Sequence, residues 1–441
     1  MIIMAVEKSS EKFRPGQTFL IGFAFFTTFS WSLYNTQVNQ QVKLYIPLLT
    51  IVGIIMAIDN IIGVIVQPVM GNVSDNTRSK YGRRMPYIVV GVISSAIFFA
   101  LIPTGFGTEL WILLIWIFCF SISMAFYRSQ AVALMPDFVR PIDRSKGNAI
   151  INIMGGIGTI FAFTLSLVSD YIGLQLTFII ASIVMVIAMI ILFFTIKEKD
   201  SYSYKLLMEQ DAKEAESVKK QKEKLTIVQS IRDVVREKDK STFLMLLAIF
   251  AWFVGYNGLE ALFTIYAGPE GLSIVPTPGQ AGFLLNAIAI TFIISAFPLS
   301  LLAKKIGRRL CIKIGLIIMI IALILAFLFR TLTVTVMGFI LFGIGWALVN
   351  VNSIVIIWEL APNLKKIGTY TGLYYFFSVL AAILGPMLIG MMTDVFGLET
   401  LLLNGAIFLI IAFVLMLFVR RGEVEFTEEE KLAREKTIAG L

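Results

Sequence analysis

The sequence predicts an all-α integral membrane protein: twelve transmembrane helices arranged as two pseudo-symmetric six-helix bundles. Three observations carry this: an apolar excess, twelve long apolar spans, and short motifs that recur at one offset. Of the 441 residues, 58% are apolar, 15% are charged and none is histidine. A soluble domain carries about 25% charged and about 45–50% apolar residues, so this chain lacks the polar surface to cover a water-soluble fold. Its mean hydropathy of +0.86 places most residues against lipid or other helices. Soluble enzymes, disordered proteins and nucleic-acid-binding domains are excluded, despite a net charge of +8. Histidine is excluded as metal ligand, base or proton shuttle. Cys119 and Cys311 lie in apolar runs in different halves and read as small buried hydrophobes.

Apolar windows of about 19 residues, enough for a hydrocarbon core of about 30 Å, predict spans at 17–38, 47–70, 86–104, 109–136, 146–168, 172–196, 242–267, 279–303, 310–329, 333–360, 367–392 and 398–419. Continuous apolar runs of this length indicate helices, because barrel strands alternate over about ten residues. The first span is followed by no small-residue cleavage site and is expected to remain in the protein. Glycines in MGGIG (154–158) and LGPMLIG (384–390) let helices approach closely, and Pro386 is expected to kink the eleventh span.

Charge orients the spans. With both termini inside, the outer loops hold Lys43 and Arg330, together with Glu109, Asp170, Glu270, Asp394 and Glu399. Apart from these two and Arg128, which lies within a span, the 37 basic residues sit at or near the inner face. The positive-inside rule then predicts cytoplasmic termini in a multi-pass protein of the cell membrane, and the basic excess faces anionic lipid. The expected organisation is an N-terminal bundle over 1–196, a cytoplasmic linker over 197–240 and a C-terminal bundle with tail over 241–441. In the linker, Leu225, Val228, Ile231 and Val235 recur at helical spacing and predict an amphipathic helix at the inner surface; its expected role is that of a connector.

The halves repeat one another. Gly82-Arg83-Arg84 returns as Gly307-Arg308-Arg309 at an offset of 225, Leu134-Met135-Pro136 as Leu360-Ala361-Pro362 at 226, and Tyr34-Asn35 as Tyr256-Asn257 at 222. Three matches in order at nearly one offset indicate a duplicated six-helix unit.

Twelve spans as six plus six, with Gly-Arg-Arg in the 2–3 and 8–9 loops, resemble the major facilitator superfamily. The stretch 63–88, with Gln67-Pro68, Gly71, Ser74-Asp75, Gly82-Arg83-Arg84 and Pro86, is similar to the glycoside–pentoside–hexuronide cation symporters, in particular their sucrose and disaccharide–proton branch. The stretch 368–390 also resembles the eleventh helix of bacterial members. The resemblance implies a secondary transporter that carries a glycoside, expected to be a disaccharide, with a cation, expected to be a proton. One departure stands out: plant sucrose symporters carry a helix-4 arginine where this chain has Val132, and the arginine here is Arg128, one turn earlier.

Charges within spans are costly, about 2.5–3.5 kcal/mol each at mid-membrane by insertion scales. Asp59, twelve residues before Gly71, lies about 18 Å from the inner end of its helix, and Arg128, nine residues before Asp137, about 13–14 Å. An Asp59–Arg128 pair across a water-filled cavity would suit cation coupling; the competing reading is a static ion pair. Asp75, Arg83, Arg84, Asp137 and Arg144, with Arg308, Arg309 and Glu359 in the second half, read as a breakable gating network at the inner face. Arg140, Lys365 and Lys366 lie close by. For a neutral sugar, which needs ring faces and hydrogen-bonding forks, the candidates are Trp31, Tyr34, Asn35, Tyr127, Gln130, Tyr256, Asn257, Glu260, Trp346, Asn350 and Asn352, on helices 1, 4, 7 and 10, which line the central cavity in the superfamily. Gln37, Trp252 and Trp358 accompany them; Asn152 and Asn286 are weaker candidates. Neither a phosphate-binding loop nor a cluster of metal ligands nor a nucleophile–base pairing is present in the sequence, so an enzyme is not expected. The expected partners are a small-molecule substrate and the lipid bilayer, with no nucleic acid, no cofactor beyond the coupling proton or sodium ion, and a monomeric state. Competing readings are a cation-coupled antiporter exporting an amphipathic compound and a non-transporting nutrient sensor.

Overall fold

The computed structural model describes residues 13–139, 144–201, 203–204, 231–232, 234, 236, 239–361 and 367–423. Among the described residues fifteen helices build the twelve spans, because three spans are broken. The first comprises α1 (Pro15–Phe26) and α2 (Phe29–Tyr45), the second α3 (Leu49–Met56) and α4 (Ile58–Asp75). Then follow α5 (Met85–Leu101), α6 (Leu110–Phe138), α7 (Arg144–Ile172) and α8 (Leu174–Thr195). The second half begins with α9 (Ser241–Ala267), after which α10 (Pro278–Leu284) and α11 (Asn286–Ile306) form the eighth span. It ends with α12 (Arg308–Phe329), α13 (Leu332–Leu360), α14 (Ile367–Phe396) and α15 (Leu401–Phe418).

The breaks have local causes. Between α1 and α2, the Thr27 and Thr28 hydroxyls donate to the carbonyls of Ala24 (2.8 Å) and Phe25 (2.7 Å), a back-bonding that bends helices. At Ala57 the backbone N–H is shared among preceding carbonyls, and α4 starts as a new helix with Asp59 in its first turn. Eleven spans are long and apolar enough to cross a membrane among the described residues. The first is the exception: besides its break, α2 carries Asn35, Gln37, Asn39, Gln40 and Gln41, which cost it hydropathy. The expected linker helix runs over 225–238, of which residues 231, 232, 234 and 236 are described and the rest lie outside the described residues; Ile231 and Val234 pack on the core.

Outward faces carry the lipid-facing surface, with Ile65, Phe194, Phe297 and Leu328 all more than 60% exposed. Inside each bundle the helices interlock: α5 packs on α6 and α8 and α4 on α6 in the first, α9 on α14 and α15 and α12 on α13 in the second. Between bundles, α3 crosses α14, α7 crosses α10 and α11, and α2 crosses α9. The α3–α14 crossing needs glycine: a Cβ on Gly53 would lie 2.3 Å from the Pro386 carbonyl oxygen, and one on Gly390 would lie 2.5 Å from that of Leu49. The architecture is two six-helix bundles meeting along a cleft, closed where α3, α10 and the ends of α7 and α14 converge, at the end of the molecule away from the Gly-Arg-Arg loops.

Candidate functional site

At the Gly-Arg-Arg end, each glycine turns the chain with φ in the left-handed region, +106° at Gly82 and +90° at Gly307. This aims the following arginines back across the helix ends. Arg83 meets Asp137 at 2.6 Å and Asp75 at 3.9 Å; Arg84 meets Asp75 at 2.5 Å and Asp137 at 3.3 Å, and donates to Ser74 Oγ at 2.6 Å. In the second bundle Arg308 pairs with Glu359, and Arg309 pairs with Glu423 at 3.2 Å and donates to the Arg420 carbonyl. Arg140, Lys365 and Lys366 fall outside the described residues, and so does the side chain of Arg144.

Two partners in this network were not among the expected residues. Glu198, 1% exposed, accepts the backbone N–H groups of Arg83, Arg84 and Met85 at 2.8–3.0 Å and so caps α5. Burial pushes its carboxyl above the usual range, against those three donors. Glu423 accepts the Arg309 N–H at 2.9 Å. The signal that finds them is the repeat itself, since 198 and 423 differ by the same 225 as Arg83 and Arg308. Each of these contacts stays within one bundle.

At the opposite end the carboxylates cross between bundles. Asp170, at the end of α7, accepts Thr277 Oγ1 at 2.6 Å and the Gly279 N–H at 2.9 Å, at the start of α10. Asp394, at the end of α14, accepts the N–H groups of Leu49 and Thr50 at 2.8 Å and Thr50 Oγ1 at 2.6 Å, at the start of α3. Asn39 on α2 donates to the Ala261 carbonyl at 2.6 Å and to Thr264 Oγ1 at 2.7 Å on α9.

Mid-depth holds the remaining charges. The Asp59 carboxylate faces the backbone N–H groups of its own first turn, and Asn60 Nδ2 donates to it at 2.9 Å. Asp59 and Arg128 feel one another electrostatically, yet among the described residues no hydrogen bond or ion pair joins them. The Arg128 guanidinium instead lies over the Trp31 ring, 4.1 Å from its centroid. Glu260, from the other bundle, takes a side-chain hydrogen bond from Asn35 and senses Asp59. The Tyr34 phenol, buried and within electrostatic reach of Asp59, has no hydrogen-bond partner among the described residues.

Beside this cluster is a cavity of about 310 Å³ lined by Asn152, Tyr256, Glu260, Phe342 and Trp346 among others, a size that admits a small molecule. Tyr256 and Trp346 stack with centroids 4.4 Å apart and planes within 7°, while Phe25, Phe163, Phe263, Phe292 and Phe339 complete an aromatic wall. Other expected substrate contacts lie elsewhere. Tyr127 is bonded to Thr27 (3.0 Å), and Gln130 donates to the Met70 carbonyl (2.8 Å), inside the first bundle. Asn257 and Asn352 donate to carbonyls one turn back on their own helices. Asn350 is half-buried on α13, outside the cavity wall. Trp252 is wholly buried, Gln37 holds Ser166, Trp358 holds Thr371, and Asn286 reaches Thr164 at 3.4 Å.

Solved structures of similar shape include transporters. A bacterial homologue of the human lysosomal transporter Spinster, in an inward-facing and occupied conformation, superposes with a TM-score of 0.67 at 15% identity over 92% of this chain and 97% of its own. The nucleoside transporter NupG gives 0.69 at 13% identity over 92% and 100%. At such identities the likeness is one of fold alone. The sucrose transport protein SUC3 of Arabidopsis thaliana is 29% identical over 165 residues, covering 31% of this chain and 26% of its own length; the match spans about a quarter of that relative. The sequence profile of the Major Facilitator Superfamily matches residues 18–362 and again 273–439. The chain therefore belongs to the Major Facilitator Superfamily, a family of membrane transporters.

Proposed function

We propose that this membrane transporter is a glycoside–cation symporter, taking up a disaccharide with a proton by alternating access. The observation that carries the reading is the stacked Tyr256–Trp346 pair in the cavity wall beside Glu260 and Asn152. Flat aromatic faces take the apolar side of a sugar ring while carboxylate and amide take its hydroxyls. The sequence motif of residues 63–88 and the partial likeness to a sucrose transport protein support the same class and the glycoside–pentoside–hexuronide branch. Asp59 and Arg128 supply coupling: a proton on Asp59 releases Arg128 toward the substrate, and its loss restores their attraction. Charge distribution supports cytoplasmic termini in the cell membrane; the cleft then opens to the cytoplasm, and Asp170 and Asp394 close the outer end.

Uptake of a panel of radiolabelled disaccharides into reconstituted vesicles, under a proton or a sodium gradient, tests this. Accumulation of at least one disaccharide under the proton gradient is expected, together with its loss in Asp59→Asn. The absence of saccharide uptake under either gradient would overturn the reading. The wall of eight aromatic residues favours one competitor, cation-coupled export of an amphipathic compound, and the same vesicles loaded with a hydrophobic dye would reveal it.

A further inference from the structure

The seam between α1 and α7 opens into a second hollow, on the side away from the cavity. At the Gly-Arg-Arg end, Pro15, Gly16 and Phe19 of α1 and Ile150 and Ile153 of α7 line an apolar groove of about 340 Å³. The helices touch farther along, where a Cβ on Gly22 would lie 2.5 Å from Met154 Cγ and one on Gly158 would lie 2.9 Å from the Phe26 carbonyl oxygen. They part toward the start of α1, where a Cβ on Gly16 would meet nothing within 4 Å. At about 100° per residue, Ile150, Ile153 and Ile157 fall on the face of α7 opposite Asn152, Gly155 and Thr159, which line the cavity. Phe19 is 46% and Ile153 48% exposed, so the groove lies against lipid, outside the transport path.

The mouth of the groove is basic. Lys146 continues the outer face of α7 one turn before Ile150, and its Nζ lies 5.8 Å from the centre of the Phe13 ring, at the entry to α1. Arg14 is the next residue of the chain, and both cations are exposed. Neither α1 nor α7 has an acid in its first turn, so the positive ends of both helices add to the two cations. The rise is about 7.5 Å from Arg14 to Phe19 and about 10.5 Å from Lys146 to Ile153. Over such a depth a bilayer passes from headgroups to hydrocarbon. The counterpart helix of the second half, α9, starts beside an acid instead: Asp239 accepts the Ser241 N–H at 2.7 Å.

We propose that this groove binds one anionic phospholipid from the leaflet on the Gly-Arg-Arg side, its phosphate on Arg14 and Lys146 and an acyl chain between α1 and α7. The cations select a negative headgroup. The groove selects a lipid over a free anion, because only a molecule with a hydrocarbon tail fills it. The lipid packs on the back of the helix that carries Asn152, Gly155 and Thr159 into the cavity, and the site is independent of which substrate the cavity takes.

Native mass spectrometry of the purified full-length protein, released from vesicles of phosphatidylcholine with a minor share of phosphatidylglycerol, counts the retained lipid. The wild type should hold one phosphatidylglycerol, preferred over phosphatidylcholine by roughly thirtyfold at low salt; Arg14→Gln or Lys146→Gln should each lower the preference to about fivefold. Gly16→Leu puts its side chain into the open space of the groove and should expel the lipid, with the unfolding temperature in lipid-free detergent as the check on folding. The two charge substitutions, at exposed positions, test the site independently of that variant. Excess glycerol 3-phosphate should leave the bound lipid in place. Equal retention of the two lipids by the wild type, undiminished retention in folded Gly16→Leu, an unchanged preference in both charge variants, or displacement by glycerol 3-phosphate would overturn the proposal.

Discussion

The two ends of the molecule use the same chemistry for opposite purposes. At the Gly-Arg-Arg end, Asp75, Asp137, Glu198, Glu359 and Glu423 tie helix ends to one another within a bundle. At the other end, Asp170 and Asp394 reach from one bundle onto the first turn of a helix in the other. Glu198 and Glu423 at the first end, like Asp170 and Asp394 at the other, accept backbone N–H groups, where the helix dipole favours negative charge, while Asp75, Asp137 and Glu359 pair with arginine side chains. The difference teaches which contacts must break when the bundles rock. Staples within a bundle keep each six-helix unit rigid, whereas caps across the cleft are the ones lost on opening. Near-repetition of the crossing caps, at positions 170 and 394, follows from the duplication, so the closed end is held by two equivalent contacts on either side of the pseudo-symmetry axis.

This contrast can be broken one contact at a time. The largest effect is expected from Glu198→Ala, which leaves three buried N–H groups without an acceptor and should lower stability by about 3 kcal/mol; thermal unfolding in detergent measures it, and Glu198→Gln should recover most of the loss. Asp394→Ala removes three bonds across the cleft at a solvent-exposed site, and should shift the closed–open equilibrium by about 2 kcal/mol, roughly thirtyfold, with little change in unfolding. Accessibility of a cysteine introduced at Thr50 to a charged thiol reagent reads that shift. In the second bundle, Glu423→Ala should cost about 1 kcal/mol, because the Arg309–Glu423 pair is about 30% exposed on both sides. The smallest effect is a pH slope. Burial raises the Glu198 carboxyl in the folded state, so the folded protein binds more protons than the unfolded chain above the ordinary glutamate value. The stability this group contributes is therefore full below that value and declines as pH rises through the raised one. Unfolding midpoints across that window should show the decline in the wild type and lose it in Glu198→Gln.

Much of the frame was legible in sequence. Hydropathy placed the spans, and Gly82-Arg83-Arg84 with its repeat at 307–309 placed the paired loops where the arginines meet Asp137 and Glu359. What escaped was chemistry that uses the backbone as partner. Asp170 and Asp394 are visible as outer acidic residues, but their targets are N–H groups of Gly279, Leu49 and Thr50, which every sequence offers everywhere. Glu198 escaped for the same reason, although the 225 offset to Glu423 pointed to both. Helix rotation was the other gap: Tyr127 and Gln130 share a helix with Arg128, yet lie within the first bundle on Thr27 and Met70. Asn152, a weaker candidate, lines the cavity.

The account rests on the two ends opening alternately, and distances between spin labels at both ends test this most directly. In a background without Cys119 and Cys311, labels at Tyr171 and Ser273 report the end closed by Asp170, and labels at Lys80 and Lys305 report the Gly-Arg-Arg end. Without substrate, double electron–electron resonance should give a short, narrow distribution for the first pair and a long one for the second; substrate and protons together should lengthen the first and shorten the second. A first pair that is already long without substrate, or two pairs that lengthen and shorten together, would contradict it.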